Sequence, residues 1–169
     1  MIEDRNTAKQ RPPLSEKEIA RVLVYHLERL GYHAVTELVL NDAHLNIPKI
    51  TSKELSKVRI DVAAVKGDVV IFIEVENGLW ATHPLLYRGF AQRVFLACPA
   101  ENSNPTDSEQ LELAKSQGIG VLKVSNIGTV LPVLEPVDKE ISPFITKAIK
   151  SLLQRRLPVS YTHLTLPTN

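Results

Sequence analysis

Three carboxylates stand close together in the middle of the chain. Asp61 lies in "VRIDVAAV", and Glu74 and Glu76 end "VVIFIEVEN". Side chains along a strand alternate between faces, so Glu74 and Glu76 point the same way. The two segments are joined by "KGD", a tight hairpin signal. With Gly67 and Asp68 as the turn, Lys66 pairs with Val69 and Asp61 falls opposite Glu74. Like charges facing each other weaken a sheet and raise one another's pKa. A divalent cation would neutralise the crowding, and a hard ion such as Mg²⁺ prefers carboxylate and carbonyl oxygens. The backbone carbonyl of Val75 can add a ligand. The alternative is a set of solvent-facing acids paired with Arg59 or Lys57, which is common at strand ends. The hydrophobic run Val69 to Ile73 before Glu74 favours a sheltered position.

The elements around these acids follow in a readable order. Met1 to Pro13 is polar, ends in Pro-Pro and reads as a flexible arm, residues 1–13. "SEKEIARVLVYHLERLGY" predicts a helix, with Ser15 and Glu18 as a capping box and Gly31 as the stop. Its apolar face is Ile19, Val22, Leu23, Leu27 and Leu30. "HAVTELVL" predicts a strand, and Asn41 to Lys57 a polar loop. The hairpin strands follow, then a short helix in "HPLLYRGFAQ" with Pro84 at its first position. "VFLAC" is a buried strand. A helix through about Gln117, the strand "IGVLKV", an edge strand interrupted by Pro132 and Pro136, and an amphipathic helix from Lys139 to Leu157 complete the order. Three consecutive strands predict an antiparallel meander, and the later alternation with helices predicts parallel strands. The expected fold class is α/β: one mixed-sheet domain, residues 14–157, with an αβββαβ core followed by a further helix, strands and a C-terminal helix.

Composition narrows the function classes. The 169 residues carry a net charge of +1, which excludes a strongly basic, indiscriminate nucleic-acid binder. There is no apolar run of membrane-spanning length and no signal peptide, so no membrane partner is expected. The single cysteine, Cys98, can form no internal disulfide and reads as a small buried hydrophobe, in keeping with a cytoplasmic setting. "VSYTHLTLPTN" resembles the translated read-through of a transposon-type sequencing adapter; residues 158–169 are expected to be non-native and take no part in the fold.

The run "RIDVAAVKGDVVIFIEVEN", set in that order of elements, resembles the PD-(D/E)xK nuclease superfamily, the restriction-endonuclease-like fold. The family signature is an acid on the second core strand, a hairpin, and acid-x-lysine at the end of the third. Asp61 matches the first acid and Glu74 the second. The likeness extends from about Ser15 to Pro136, including "LLYRGFAQRVFLACP" and "AKSQGIGVLKV". It implies a Mg²⁺-dependent (or Mn²⁺-dependent) nuclease acting on DNA, with Asp61, Glu74 and the Val75 carbonyl as metal ligands. A homodimer is compatible with it. The chain departs from the signature at Glu76, which occupies the lysine position. Some restriction enzymes of the superfamily keep activity with glutamate there. Glu76 would then act as general base or ligate a second metal, or it marks a degenerate site. A displaced cation could substitute, with Arg88 ahead of Lys66.

Further residues are expected to contribute. The family often adds an acid from the first helix, here Glu18 or Glu28, and Glu37 on the first strand is a stronger candidate. Tyr87 and Gln92 resemble polar positions that line such sites. His83 can touch a phosphate or start a helix, and Trp80 can stack on a base or pack on the sheet. Lys49, Lys53, Lys57 and Arg59 can track a phosphate backbone, or form a solvated loop. Lys147, Lys150, Arg155 and Arg156 make the last helix basic along one side.

Overall fold

The computed structural model describes residues 11–40 and 58–156. Lys49, Lys53 and Lys57, and the C-terminal segment 158–169, lie outside the described residues. Helix α1 spans Glu16–Arg29, followed by β1 (His33–Val39), β2 (Arg59–Lys66) and β3 (Val69–Val75). After a 3₁₀ turn at His83–Tyr87 come β4 (Arg93–Pro99), α2 (Asp107–Ser116), β5 (Gly120–Val124), β6 (Val130–Leu134) and α3 (Pro143–Gln154).

The six strands form one mixed sheet in chain order. β1, β2 and β3 are an antiparallel meander, β3, β4 and β5 run parallel, and β6 returns antiparallel at the edge. The α/β fold class and the element order agree with the sequence reading. The pairing of β5 with β6 shifts register beside Pro132; a proline gives the ladder no donor and is tolerated at such an edge. The expected short helix in "HPLLYRGFAQ" is only the 3₁₀ turn.

Sequence period explains the layers. α1 buries Ile19, Ala20, Leu23, Val24 and Leu27 on one face of the sheet, against Val62, Ile71, Ile73 and Val75. α3 buries Ile149, Leu152 and Leu153 on the other, against Phe72, Val65 and Val94. α2 lies at the far side of that second face, where Ala114 meets Leu96 and Val121. The expected apolar face of α1 needs two changes: Val22 is only half-buried and Leu30, the last residue of the series, is 52% exposed, while Ala20 and Val24 are buried. Leu30 is the C-cap, where the chain leaves the helical period. Ser15 and Glu18 do form the capping box, at 3.0 and 3.1 Å.

Two glycines matter to the geometry. Gly67 has φ 60° in the turn between β2 and β3, a left-handed conformation that glycine adopts freely. Gly120 starts β5 where a Cβ would sit 2.6 Å from Phe95 Cδ1 and 2.9 Å from Pro136 Cδ, so only a bare backbone fits. Among the described residues no helix is long and apolar enough to cross a membrane.

Candidate active site

The hairpin register determines which acids meet. Lys66 pairs with Val69 and the ladder continues to Val62 opposite Ile73. One step further Asp61 faces Glu74. There the two strands part: the described pairing of β2 with β3 ends, while β3 stays with β4 as far as Val75 opposite Ala97. Asp61 fills the fork. Its Oδ2 accepts the Val75 amide proton at 2.8 Å, which keeps a buried backbone donor satisfied where the ladder stops.

The neighbouring strand is bent at the same level. Thr36 pairs with Val62 and Leu38 with Ile60, and between them Glu37 has φ 54°. Val35 and Leu38 lie in the same core although they are three residues apart, as do Ile60 and Ala63. Strict alternation would send each pair to opposite faces. The break therefore passes through Glu37 and Asp61. A left-handed glutamate costs about 1–2 kcal/mol, and such strain gathers at functional sites.

Glu74 stands on the α3 face. Its Oε2 lies 2.7 Å from the hydroxyl of Tyr87, which is also 3.1 Å from the Arg59 carbonyl. Tyr87 is buried edge-on to Phe72, with ring centroids 6.1 Å apart, so the hydroxyl is held in place. Burial pushes the Glu74 carboxyl up to about 7; the Tyr87 hydrogen bond opposes this, and the charges of Asp61 and Glu76 add to it. Burial also raises Asp61, against the Val75 amide and a hydrogen bond with Glu74 that favour its anion. Burial thus holds both carboxyls of the pair above their usual range. Glu76 reaches His83, Oε1 to Nδ1 at 2.5 Å, and its amide bonds to the Ala97 carbonyl.

A cleft of about 450 Å³ opens between α1 and the strands at this point. Glu16, Lys17 and Arg21 of α1 line it opposite Glu37, Asp61 and Val75. Glu16 is the helix acid at the site: burial, then the charges of Glu76 and Asp61, raise its carboxyl. The sequence offers Glu18 or Glu28 as the helix acid, behind Glu37 on the first strand. Glu18 is spent on the cap, as its alternative role anticipated, and Glu28 does not line the cleft. The signal for Glu16 was available only as its place one turn before Ala20, the cleft-facing small residue of the buried stripe.

Other expected residues fall elsewhere. The Arg88 guanidinium lies 3.5 Å from the Val137 carbonyl and beside Gly118. Gly118 precedes β5, two strands across the sheet from β3, and the contacts of Arg88 lie there and not with the acids. Lys66 Nζ caps α1 through the Leu30 carbonyl at 2.8 Å. Gln92 joins the Val70 amide to Thr146 and serves the core. Arg59 is exposed at the start of β2, and only its carbonyl takes part in the site. Lys150 pairs with Asp68, whereas Arg156 bonds the Glu37 carbonyl at 3.1 Å, bringing the end of α3 to the bent strand. Trp80 is 44% exposed on the loop after Glu76.

Among the described residues no Lys or Arg forms an ion pair with Asp61 or Glu74. None of them forms a group of three or more His, Cys, Asp or Glu side chains spaced to hold a metal ion. The oxygens that sequence reading assigned to a cation are those of Asp61, Glu74 and the Val75 carbonyl, and of these the Asp61 carboxylate meets Val75 through its amide.

No family model, curated protein or solved structure matches the chain.

Proposed function

We propose that the protein is a metal-dependent hydrolase of DNA phosphodiester bonds, related in plan to the PD-(D/E)xK nucleases. The observation that supports this best is the Asp61–Glu74 pair: two half-buried carboxyls where β2 and β3 part, beside an open cleft and without a basic partner among the described residues. Structural acids on a sheet are normally ion-paired or solvated. Asp61, Glu74 and the Val75 carbonyl would hold Mg²⁺ or Mn²⁺. Bound there, the ion supplies charge for the scissile phosphate and lowers the pKa of an attacking water. Tyr87 fixes the orientation of Glu74. Glu76, in the lysine position, is the group available to take the water proton, with His83 behind its carboxylate. DNA as partner, a cytoplasmic location and a homodimer presenting two such sites to a duplex belong to the same proposal.

A second reading is a catalytically silent nuclease-fold protein that binds nucleic acid or a partner protein. It is favoured by one specific contact, the engagement of Glu76, the residue at the lysine position, by His83. Incubation of supercoiled plasmid with Mg²⁺ or Mn²⁺ separates the two. Nicking by the wild type that is lost in Asp61→Asn supports the hydrolase. Cation binding by calorimetry without nicking supports the silent relative.

A further inference from the structure

The α1 wall of the cleft carries Lys17 and Arg21 with one acid, Glu16, and the sheet wall carries the acids Glu37 and Asp61. Lys17 and Arg21 are four residues apart, one turn of α1, and so project from the same side of the helix. Both are exposed, and both line the cleft that Glu37, Asp61 and Val75 close from the sheet side. Neither forms an ion pair with a described carboxylate, although Arg21 helps to keep the Glu18 carboxyl below its usual range. Unlike charges facing each other across a polypeptide surface ordinarily close upon one another. Here a gap of about 450 Å³ keeps them apart. Such a gap suits an anionic group that meets the cations on one side and is held off the acids on the other.

The balance of charge points the same way. The lining contains three carboxylates, Glu16, Glu37 and Asp61, and two cations. A divalent ion on the sheet side would change the net lining charge from minus one to plus one, matching a single phosphodiester. Lysine meets phosphate as a point charge, and arginine can meet two of its oxygens at once.

We infer that Lys17 and Arg21 form a phosphate seat on α1, opposite Asp61 and Val75, which holds a phosphoryl oxygen group between helix and sheet. The inference rests on reading the cleft as the substrate side of the proposed site, and it assigns the helix wall a role that the acids do not depend on. The shared ligand chemistry is a phosphate anion, from a nucleic-acid strand or as the free ion.

The test is fluorescence anisotropy of a labelled DNA duplex with the full chain, with Ca²⁺ in place of Mg²⁺, over a salt series. Lys17→Gln/Arg21→Gln is compared with the wild type. Both positions are exposed on a helix and glutamine is a good helix former, so far-ultraviolet circular dichroism should be unchanged. The expected result is about tenfold or greater weakening, with a log affinity–log salt slope smaller by up to about 2. Competition by inorganic phosphate assigns the seat to a free phosphate group; no competition assigns it to the strand. Unchanged affinity and slope in the double variant, or no binding by the wild type, overturns the inference. Calorimetry with Mg²⁺ on the same variant keeps the two proposals apart. If the wild type binds no Mg²⁺ yet its DNA affinity depends on Lys17 and Arg21, the metal reading falls and the seat stands. If Mg²⁺ binds and the double variant holds DNA as the wild type does, the seat falls and the metal reading stands.

Discussion

The Val75 amide donates to Asp61 across the gap where β2 and β3 part, at 2.8 Å. The carboxylate thus stands in for the strand carbonyl that the ladder no longer provides. Asp61→Ala leaves that donor without its acceptor, which costs about 1–3 kcal/mol. Asp61→Asn keeps an acceptor oxygen and should cost no more than about 1 kcal/mol. Urea midpoints at constant m-value measure both. An alanine variant as stable as the wild type would show that the bond contributes nothing.

Stability should fall as pH rises through the neutral range. The folded Glu74 carboxyl lies at about 7 against an ordinary 4.5, so the folded state binds the proton more tightly than the unfolded chain. That contribution is complete below the ordinary value, shrinks as pH rises, and is gone above about 7. Its size is on the order of 1–2 kcal/mol, because the site is partly solvated and screened. Asp61, raised for the same reason, acts in the same direction. Glu74→Gln should flatten this part of the profile. A wild-type profile that rises over the same interval contradicts a raised Glu74 carboxyl.

Tyr87→Phe removes the hydrogen bond that opposes the rise of Glu74. The Glu74 titration, followed by carboxyl carbon NMR, should move upward by about 0.5–1 unit. The phenyl ring still fills the space beside Phe72, so the loss of stability should stay near 1 kcal/mol. A downward shift would mean that the hydroxyl does not hold the carboxylate.

Gly120→Ala tests the packing that supports β5. The new methyl would lie within van der Waals contact of Phe95 and Pro136, at 2.6 and 2.9 Å. The expected cost is about 1–3 kcal/mol, read from thermal or urea unfolding. A neutral substitution would mean that the β4–β5 contact is looser than described.

Much of this architecture was legible because local rules acted alone. The "KGD" turn specifies a two-residue hairpin, and a hairpin register propagates one residue at a time, so Asp61 opposite Glu74 followed directly. The capping box at Ser15 and Glu18 is likewise local. The rest depended on tertiary relations. Whether Glu16 or Glu18 faces the sheet depends on how α1 is rotated against it, and both positions are polar. Arg88 turns instead to the Val137 carbonyl and Gly118 ahead of β5, a tertiary contact that no local pattern signals. The bend at Glu37 has no sequence signal, because a glutamate with positive φ is held there by its surroundings. The role of Tyr87 was visible only as a polar aromatic on a connecting segment; its contact with Glu74 needs β3 and that segment in place together.

The central proposal is that Asp61 and Glu74, whose carboxyls burial holds high, bind a divalent cation. Titration calorimetry with Mg²⁺, in two buffers of different ionisation enthalpy, measures ion affinity and proton release together. Near pH 6 the wild type should release about one proton per ion bound, and affinity should rise toward pH 8 as Glu74 ionises unaided. Asp61→Asn and Glu74→Gln should each weaken binding by at least about tenfold, and the latter should abolish proton release. No binding heat at either pH, or affinity and proton release that survive both substitutions unchanged, would contradict the account.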